Sequence, residues 1–344
     1  MKLFATTAMQ DPGVATYLPL FTDMARRDRF GIHTLCEDAA AADMILFLDG
    51  HQHYKDLELN AIRRHPLVMQ YREKAFVYSE VDQPWCAMPG LYVAMPKSAF
   101  DSRRQRACAY LTVPNSDVIP TPPPSGDDAL LFSFMGRGGN PAREGVLRQK
   151  HPRAIVEDTS LVNYFGDQTA EIERGKRRYA EVIARSKFVL CPRGAGTSSF
   201  RVFETMAAGR VPVIVSDEWV PPAGPVWDEC AVFIPEAQID RVGAILESHE
   251  ARFPAMAAAA RRAWEDWFAQ DALFHRMTEA LADIIRTRTI PESVLCRKIT
   301  ARYVRMRLRA AKGQLRDWLR PTRSESPAPA LSSQRQSIVS NTRS

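Results

Sequence analysis

Four of the five residues from Pro120 to Pro124 are prolines, and Ser125-Gly126 follow them. Proline lacks a backbone N–H and holds a fixed φ, so this run can continue neither a helix nor an inner strand. It reads as a stiff linker, and it divides a 344-residue chain into two halves. That length exceeds what one hydrophobic core usually serves. Each half alternates short apolar runs with helix-like stretches, which is the pattern of α/β folds built on parallel sheets. We therefore expect a first domain over residues 1–119, a linker over 120–127 and a second domain over 128–290.

Strands are predicted near the N-terminus and over 43–49 and 75–80, with helices over 18–29 and 57–64. The second half predicts strands over 129–135, 154–156, 188–191 and 211–215. Its helices are expected from near Pro141, over 179–186 and over 200–208, the last stopped by Gly209. Helices then dominate residues 238–286.

The tail divides again. Residues 291–320 carry Arg302, Arg305, Arg307, Arg309 and Arg316, with Val304, Leu308, Leu315 and Leu319 at helical spacing. This predicts a basic amphipathic helical segment, and residues 300–320 suit an anionic membrane surface. Residues 321–344 lack apolar area and are expected to be disordered. The net charge of +6 is concentrated here, without any nucleic-acid recognition motif, so no nucleic-acid partner is expected. The six cysteines form no C-x-x-C and fit no zinc spacing or disulfide framework. No signal-peptide run opens the chain, and no stretch approaches a membrane span, so the expected location is cytoplasmic or peripheral at the inner face of a membrane.

The chemistry concentrates in residues 186–222, SKFVLCPRGAGTSSFRVFETMAAGRVPVIVSDEWVPP. Its parts are strand, glycine-containing loop, helix, glycine stop and strand. Ligands of parallel α/β sheets bind at the carboxyl ends of strands, where this loop lies. Gly194 and Gly196 let the backbone come close to a ligand, and Thr197, Ser198 and Ser199 offer hydroxyls and N–H groups at a helix start. Such a terminus favours an anion such as a diphosphate. Arg193 and Arg201 add cationic donors, while Glu204, one turn in, is suited to accept from ribose hydroxyls. The same glycines also fit a plain tight turn with a capping hydroxyl. An oxidoreductase of the G-x-G-x-x-G type is disfavoured, because Gly136, Gly138 and Gly139 are out of register for it and the 194–196 loop lacks the third glycine.

The full string resembles the C-terminal signature of the exostosin glycosyltransferases. The resemblance runs through Ser186, Lys187, Phe188, Cys191, Pro192, Arg193, Gly194, Arg201, Glu204, Gly209, Val211, Pro212, Val213, Ser216 and Asp217. It spans about residues 131–234 and includes Phe134-Met135-Gly136-Arg137 and Asp158-Thr159-Ser160. It implies a GT-B fold, with two Rossmann-like domains facing a cleft, and inverting transfer from a nucleotide sugar without a bound metal. No Asp-x-Asp motif is present to hold a divalent cation, so no metal site and no cofactor are expected, the donor entering as substrate. Without a metal, the leaving diphosphate must be neutralised by a helix N-terminus and by Arg137, Arg193 and Arg201, with Arg143 assisting.

The animal members sit behind a membrane anchor and carry a second catalytic domain, and neither is expected here. A bacterial enzyme of surface polysaccharide or lipopolysaccharide synthesis, acting on a glycan or lipid-linked saccharide acceptor, is therefore expected. The alternative is a noncatalytic sugar-nucleotide or glycan-binding subunit of a polysaccharide assembly complex. A general base for the acceptor should end a strand of the first domain, which leaves Asp49, His51, Glu80 and Asp82. A solvated loop is the competing reading of His51, and a turn start that of Asp82. Trp85 and Tyr92 are candidates for stacking on a sugar face or for packing.

Overall fold

The computed structural model describes residues 1–9, 17–50, 55–82, 84, 87–112, 115–126, 128–161 and 169–297. His51, Trp85 and the tail expectations for residues 300–344 lie outside the described residues.

The first half builds β1 (Lys2–Thr6), α1 (Leu18–Arg27), β2 (Thr34–Leu35), β3 (Met44–Phe47), α2 (Asn60–Arg63), α3 (Pro66–Gln70), β4 (Ala75–Ser79), β5 (Gly90–Tyr92) and β6 (Gln105–Ala107). Its sheet has the order β2-β1-β3-β4-β5-β6, and every pairing is parallel. Strands β3 and β4 are buried throughout, which is why their sequences read as continuous apolar runs. Strands β5 and β6, three residues each, are not among the strands expected from the sequence. Gly90 is required in β5, because a Cβ there would overlap the Val77 carbonyl oxygen of the neighbouring strand.

The second half builds β7 (Leu130–Gly136), α4 (Pro141–Leu147), β8 (Ala154–Asp158), α5 (Ala170–Arg185), β9 (Ser186–Pro192), α6 (Phe200–Ala207), β10 (Val211–Val215), α7 (Trp227–Cys230), β11 (Val232–Phe233), α8 (Val242–His249), α9 (Phe253–Trp267) and α10 (Gln270–Thr287). Its sheet, β11-β10-β9-β7-β8, is again wholly parallel. Two parallel α/β lobes are what the GT-B expectation requires. Helix α5 begins nine residues before the expected start at 179, capped by the Thr169 hydroxyl, which accepts from the Ile172 N–H.

The boundary expected at residue 290 does not follow the packing. Helix α10 lies against α1, β5 and β6 of the first lobe. Its buried Phe274, Met277 and Leu281 join an apolar cluster that also contains Phe21 and Tyr78 from the first lobe and Phe203 and Trp219 from the second. An amphipathic helix announces that it has a face to bury, not which sheet will cover it. Beyond α10, the wholly buried Arg104 donates to Glu292, and Arg106 meets Asp283 at 2.7 Å. No described helix is long and apolar enough to cross a membrane.

The proline linker is held rather than merely stiff. Arg210, fully buried just before β10, donates to the Thr121 carbonyl (3.1 Å), the Thr121 hydroxyl (2.6 Å) and the Pro122 carbonyl (2.7 Å). Burial lowers its pKa to about 10, so it stays charged at neutral pH.

Candidate functional site

In the second sheet the chain passes from β7 outward to β8, then returns to lay β9 on the other side of β7. The order therefore reverses between β7 and β9, and a crevice opens at such a point beyond the carboxyl ends of the strands. The loops leaving those two strands hold Gly136, Arg137, Arg193, Gly194, Gly196 and Thr197. The topology thus brings together residues that the sequence placed about sixty positions apart.

Asn140 and Arg143 tie the two loops to each other. The Asn140 amide donates to the carbonyls of Arg193 (3.2 Å) and Gly194 (3.3 Å), and its own oxygen caps α4 by accepting from the Arg143 N–H. Arg143 Nε donates to the Arg193 carbonyl at 3.1 Å and Nη1 to the Arg137 carbonyl at 3.2 Å. Burial, and then the like charge of Arg201, lowers the Arg143 pKa to about 10, with Asp82 and Tyr110 opposing. Arg143 therefore remains a cation at neutral pH.

Arg201 lies across Gly136. Its Nε and Nη2 both donate to the Met135 carbonyl, at 3.2 and 2.8 Å, and its guanidinium sits 5.1 Å from the centre of the Phe134 ring. A Cβ at Gly136 would collide with that guanidinium, which gives this glycine a packing reason. Arg193 is held by Glu236, Nε to Oε1 at 2.7 Å. The Glu236 N–H in turn donates to Asp217 Oδ1 at 3.1 Å, and the Ser216 hydroxyl donates to the Thr197 carbonyl at 2.8 Å. The serine-aspartate pair after β10 thus braces the loop after β9. Gly138 N–H donates to the Ser160 hydroxyl, so the residues after β8 brace the loop after β7 in the same way. Arg137 itself is exposed.

Helix α6 begins at the centre of this frame. Thr197 Oγ1, Ser198 Oγ and Ser199 Oγ are buried, and among the described residues none of them has a hydrogen-bond partner. Ser199 stands at the N-cap without making the cap bond. Three adjacent hydroxyls shielded from water and unsatisfied are unusual, since buried polar groups nearly always find partners. They lie where the helix dipole and the first free N–H groups favour an anion. Glu204 is deeper and nearly wholly buried, accepting from the Tyr179 hydroxyl at 2.7 Å. Burial raises its pKa, against the opposing effects of the Tyr179 hydroxyl and Arg201.

The base candidates separate. Asp49 is fully buried, and its Oδ1 accepts from the N–H groups of Ala8 (2.8 Å) and Met9 (2.6 Å). It anchors the loop after β1. Glu80 is likewise buried, accepting from the Tyr17 hydroxyl (2.7 Å), the Leu111 N–H (2.8 Å) and the Tyr78 hydroxyl. Its place at a strand end serves the first-lobe interior instead. Asp82 is half-buried and lies against the donor-side loop: a Cβ on Gly196 would come 2.7 Å from its Oδ1 and 2.8 Å from its Cα. It also acts electrostatically on Arg143. Tyr92 is buried in its own lobe, its hydroxyl donating to the Met88 carbonyl at 2.7 Å.

Sequence reasoning missed Glu236, Asn140 and Tyr110. Tyr110, from the first lobe, packs on Phe200 of α6 with ring centres 3.8 Å apart. Asn140 could have been found, since an asparagine directly before Pro141 is an N-cap signal. Glu236 had no signal, for its partner lies forty-three residues earlier.

The profile of the Exostosin GT47 domain matches residues 63–249, more than half of the chain. The chain belongs to the exostosin GT47 family. That match reaches well before the 131–234 span in which the sequence alone showed the resemblance. Among curated relatives, a rice protein named as a probable glucuronosyltransferase is 40% identical over 132 residues, covering 37% of this chain and 29% of the relative. The Caenorhabditis elegans Exostosin-1 homolog is 35% identical over 82 residues, covering 23% of this chain and 22% of the relative. This GT47 chain therefore spans well under half the length of the relatives it matches. A solved Anabaena structure, HepE in complex with UDP-glucose, has a TM-score of 0.41 and 12% identity, covering 82% of this chain and 100% of that chain.

Proposed function

We propose that this exostosin-family chain is an inverting, metal-independent glycosyltransferase that moves a sugar from a nucleotide-sugar donor to a glycan acceptor. The observation that carries the reading is the row of unsatisfied, buried hydroxyls at Thr197, Ser198 and Ser199, set at a helix start among arginines. A donor diphosphate would satisfy these hydroxyls and the first N–H groups of α6 together. Arg143, Arg193 and Arg201 are fixed by carbonyls and by Glu236, so their charge is oriented before the donor arrives. Such preorganised charge stabilises the negative charge that grows on the leaving diphosphate. Arg137, exposed at the rim, adds to it. Glu204 would meet the ribose hydroxyls once Tyr179 yields part of its hold.

In the transfer step an acceptor hydroxyl oxygen attacks the anomeric carbon from the face opposite the diphosphate. The new C–O bond forms as the C–O bond to the phosphate breaks, and the electron pair leaves with the nucleotide. The acceptor proton passes to the Asp82 carboxylate, which lies against Gly196 of the donor-side loop, whereas Asp49 and Glu80 already bond groups of their own lobe. The acceptor class, a bacterial surface polysaccharide or a lipid-linked saccharide, and contact of residues 300–320 with an anionic membrane rest on the sequence.

The decisive experiment titrates the protein with a panel of UDP- and GDP-sugars in EDTA, then follows nucleotide release with an acceptor added. Binding by one donor, weakened at least tenfold by Arg193→Ala, is expected. If no donor binds, or turnover requires an added divalent ion, the reading is wrong. Donor binding with no turnover under any acceptor would instead favour the noncatalytic subunit.

A further inference from the structure

A second group of ligand-type side chains lies on the first lobe, away from the loops just described. His33 precedes β2 at the amino end of the sheet, opposite to the strand ends where ligands of such sheets bind. His275 and Glu279 stand one turn apart on one face of α10. His33 Nε2 is 2.8 Å from Glu279 Oε1, and the two imidazole rings lie 4.9 Å apart at 22°. One donor atom from each of the three residues falls within 4.8 Å of the other two.

Both imidazoles are more than nine-tenths buried. His275 Nδ1 has no hydrogen-bond partner among the described residues, and His33 Nε2, though close to Glu279, is not aligned for a hydrogen bond with it. Phe30 covers a face of His275 at 4.1 Å. His33 Nδ1 faces the Met1 amino nitrogen at 3.2 Å, which leaves Nε2 as the nitrogen turned toward the carboxylate. Glu279 is about half exposed, so the group opens to solvent on one side.

We propose that His33, His275 and Glu279 bind a zinc ion that clamps α10 to the start of β2. Two imidazoles and one carboxylate form a ligand set that zinc accepts, with water in the fourth position. Donor atoms around tetrahedral zinc stand about 3.3 Å apart, so the present group must contract by side-chain rotation of roughly 1–2 Å. The gain is mechanical. Helix α10 belongs to the last part of the second half yet packs on the first lobe, and a metal at this point fixes that crossing. The clamp is separate from the donor chemistry and is compatible with a transfer step that uses no metal.

The test uses the full chain, stripped of metal, and needs no activity. Titration with cobalt(II), a coloured stand-in for zinc, is expected to give visible absorption that saturates at one equivalent and is displaced by zinc. His33→Gln and Glu279→Gln should each weaken cobalt binding at least tenfold. Glu279→Gln carries the argument if the histidine variant does not fold, because its side chain is half exposed. Zinc should raise the thermal midpoint of the wild type and not that of Glu279→Gln. A variant with His51→Gln and His53→Gln should keep the absorption. Absorption that is missing, that survives His33→Gln in a folded protein, or that disappears with His51 and His53 overturns the proposal.

Discussion

Two strand-end regions, one in each lobe, treat their buried polar groups in opposite ways. In the first lobe Asp49 takes two backbone N–H groups, and Glu80 takes two tyrosine hydroxyls and a backbone N–H. In the second, Thr197, Ser198 and Ser199 keep their hydroxyls buried without partners among the described residues. A buried hydroxyl without a hydrogen bond costs about 1–3 kcal/mol, so such a row works against folding unless something outside the chain completes it. The bonded carboxylate of Glu80 has a structural explanation within the chain, whereas the row of hydroxyls at 197–199 has none among the described residues. Asp82 is the candidate base that lies against the same loop, at Gly196.

The contrast can be broken most sharply at Asp82. Asp82→Asn should lower kcat by about 100-fold or more while leaving donor affinity unchanged, since general-base assistance contributes on that scale. Steady-state kinetics beside donor titration would check this, and near-normal turnover would remove Asp82 from its role. Glu80→Ala should do the reverse. It removes the acceptor of the Tyr17 hydroxyl and one of the two acceptors of both the Tyr78 hydroxyl and the Leu111 N–H, which keep the Ala109 carbonyl and the Tyr78 oxygen, for a loss of about 2 kcal/mol in urea unfolding. Protein that remains folded should turn over normally. A stability unchanged by this substitution would contradict the structural reading of Glu80.

Smaller effects sharpen the other side. Ser198→Ala and Ser199→Ala remove hydroxyls that have no hydrogen-bond partner among the described residues, so unfolding should show stability equal to or above wild type. Donor affinity should fall about fivefold for each, the worth of roughly 1 kcal/mol of hydrogen bond. A clear loss of stability without loss of affinity would show that these hydroxyls serve the fold. The smallest effect concerns acid. Glu250, hydrogen-bonded by Arg153 and Lys187, has its pKa lowered from 4.5 to about 2. Because the folded value is depressed, its contribution is complete above pH 4.5 and fades as pH falls toward 2. Glu250→Gln should therefore flatten a shallow part of the stability profile between pH 4.5 and 2 and change little at pH 7. An unchanged slope in that window would show that the ion pair contributes nothing.

Much of the second lobe was legible because its strands are buried on both faces and bounded by strong punctuation. The strand expected over 211–215 is β10 as observed, and Gly209, with φ of 71°, ends α6 where a glycine stop was read. Strands β5 and β6 escaped because three residues carry no periodicity. Helix α5 was cut short because its first two turns, through Glu171, Glu173, Arg174 and Lys176, are dominated by charge and interrupted by Gly175. The fixed linker could not be foreseen either: nothing in the prolines says that Arg210, some ninety residues on, will reach back to Thr121 and Pro122.

Part of the candidate donor site could be named from the sequence, because a buried strand, a glycine-containing loop and a helix start are local patterns. Local patterns also determined the two α/β halves and the family signature. Which carboxylate faces that loop was decided only by tertiary structure. Asp49, Glu80 and Asp82 all end or follow strands, and a strand end does not reveal whether tyrosines and backbone amides will enclose the side chain or a second lobe will come against it. That depends on contacts between residues far apart in the chain, and the physics of burial acts only after the fold has brought them together.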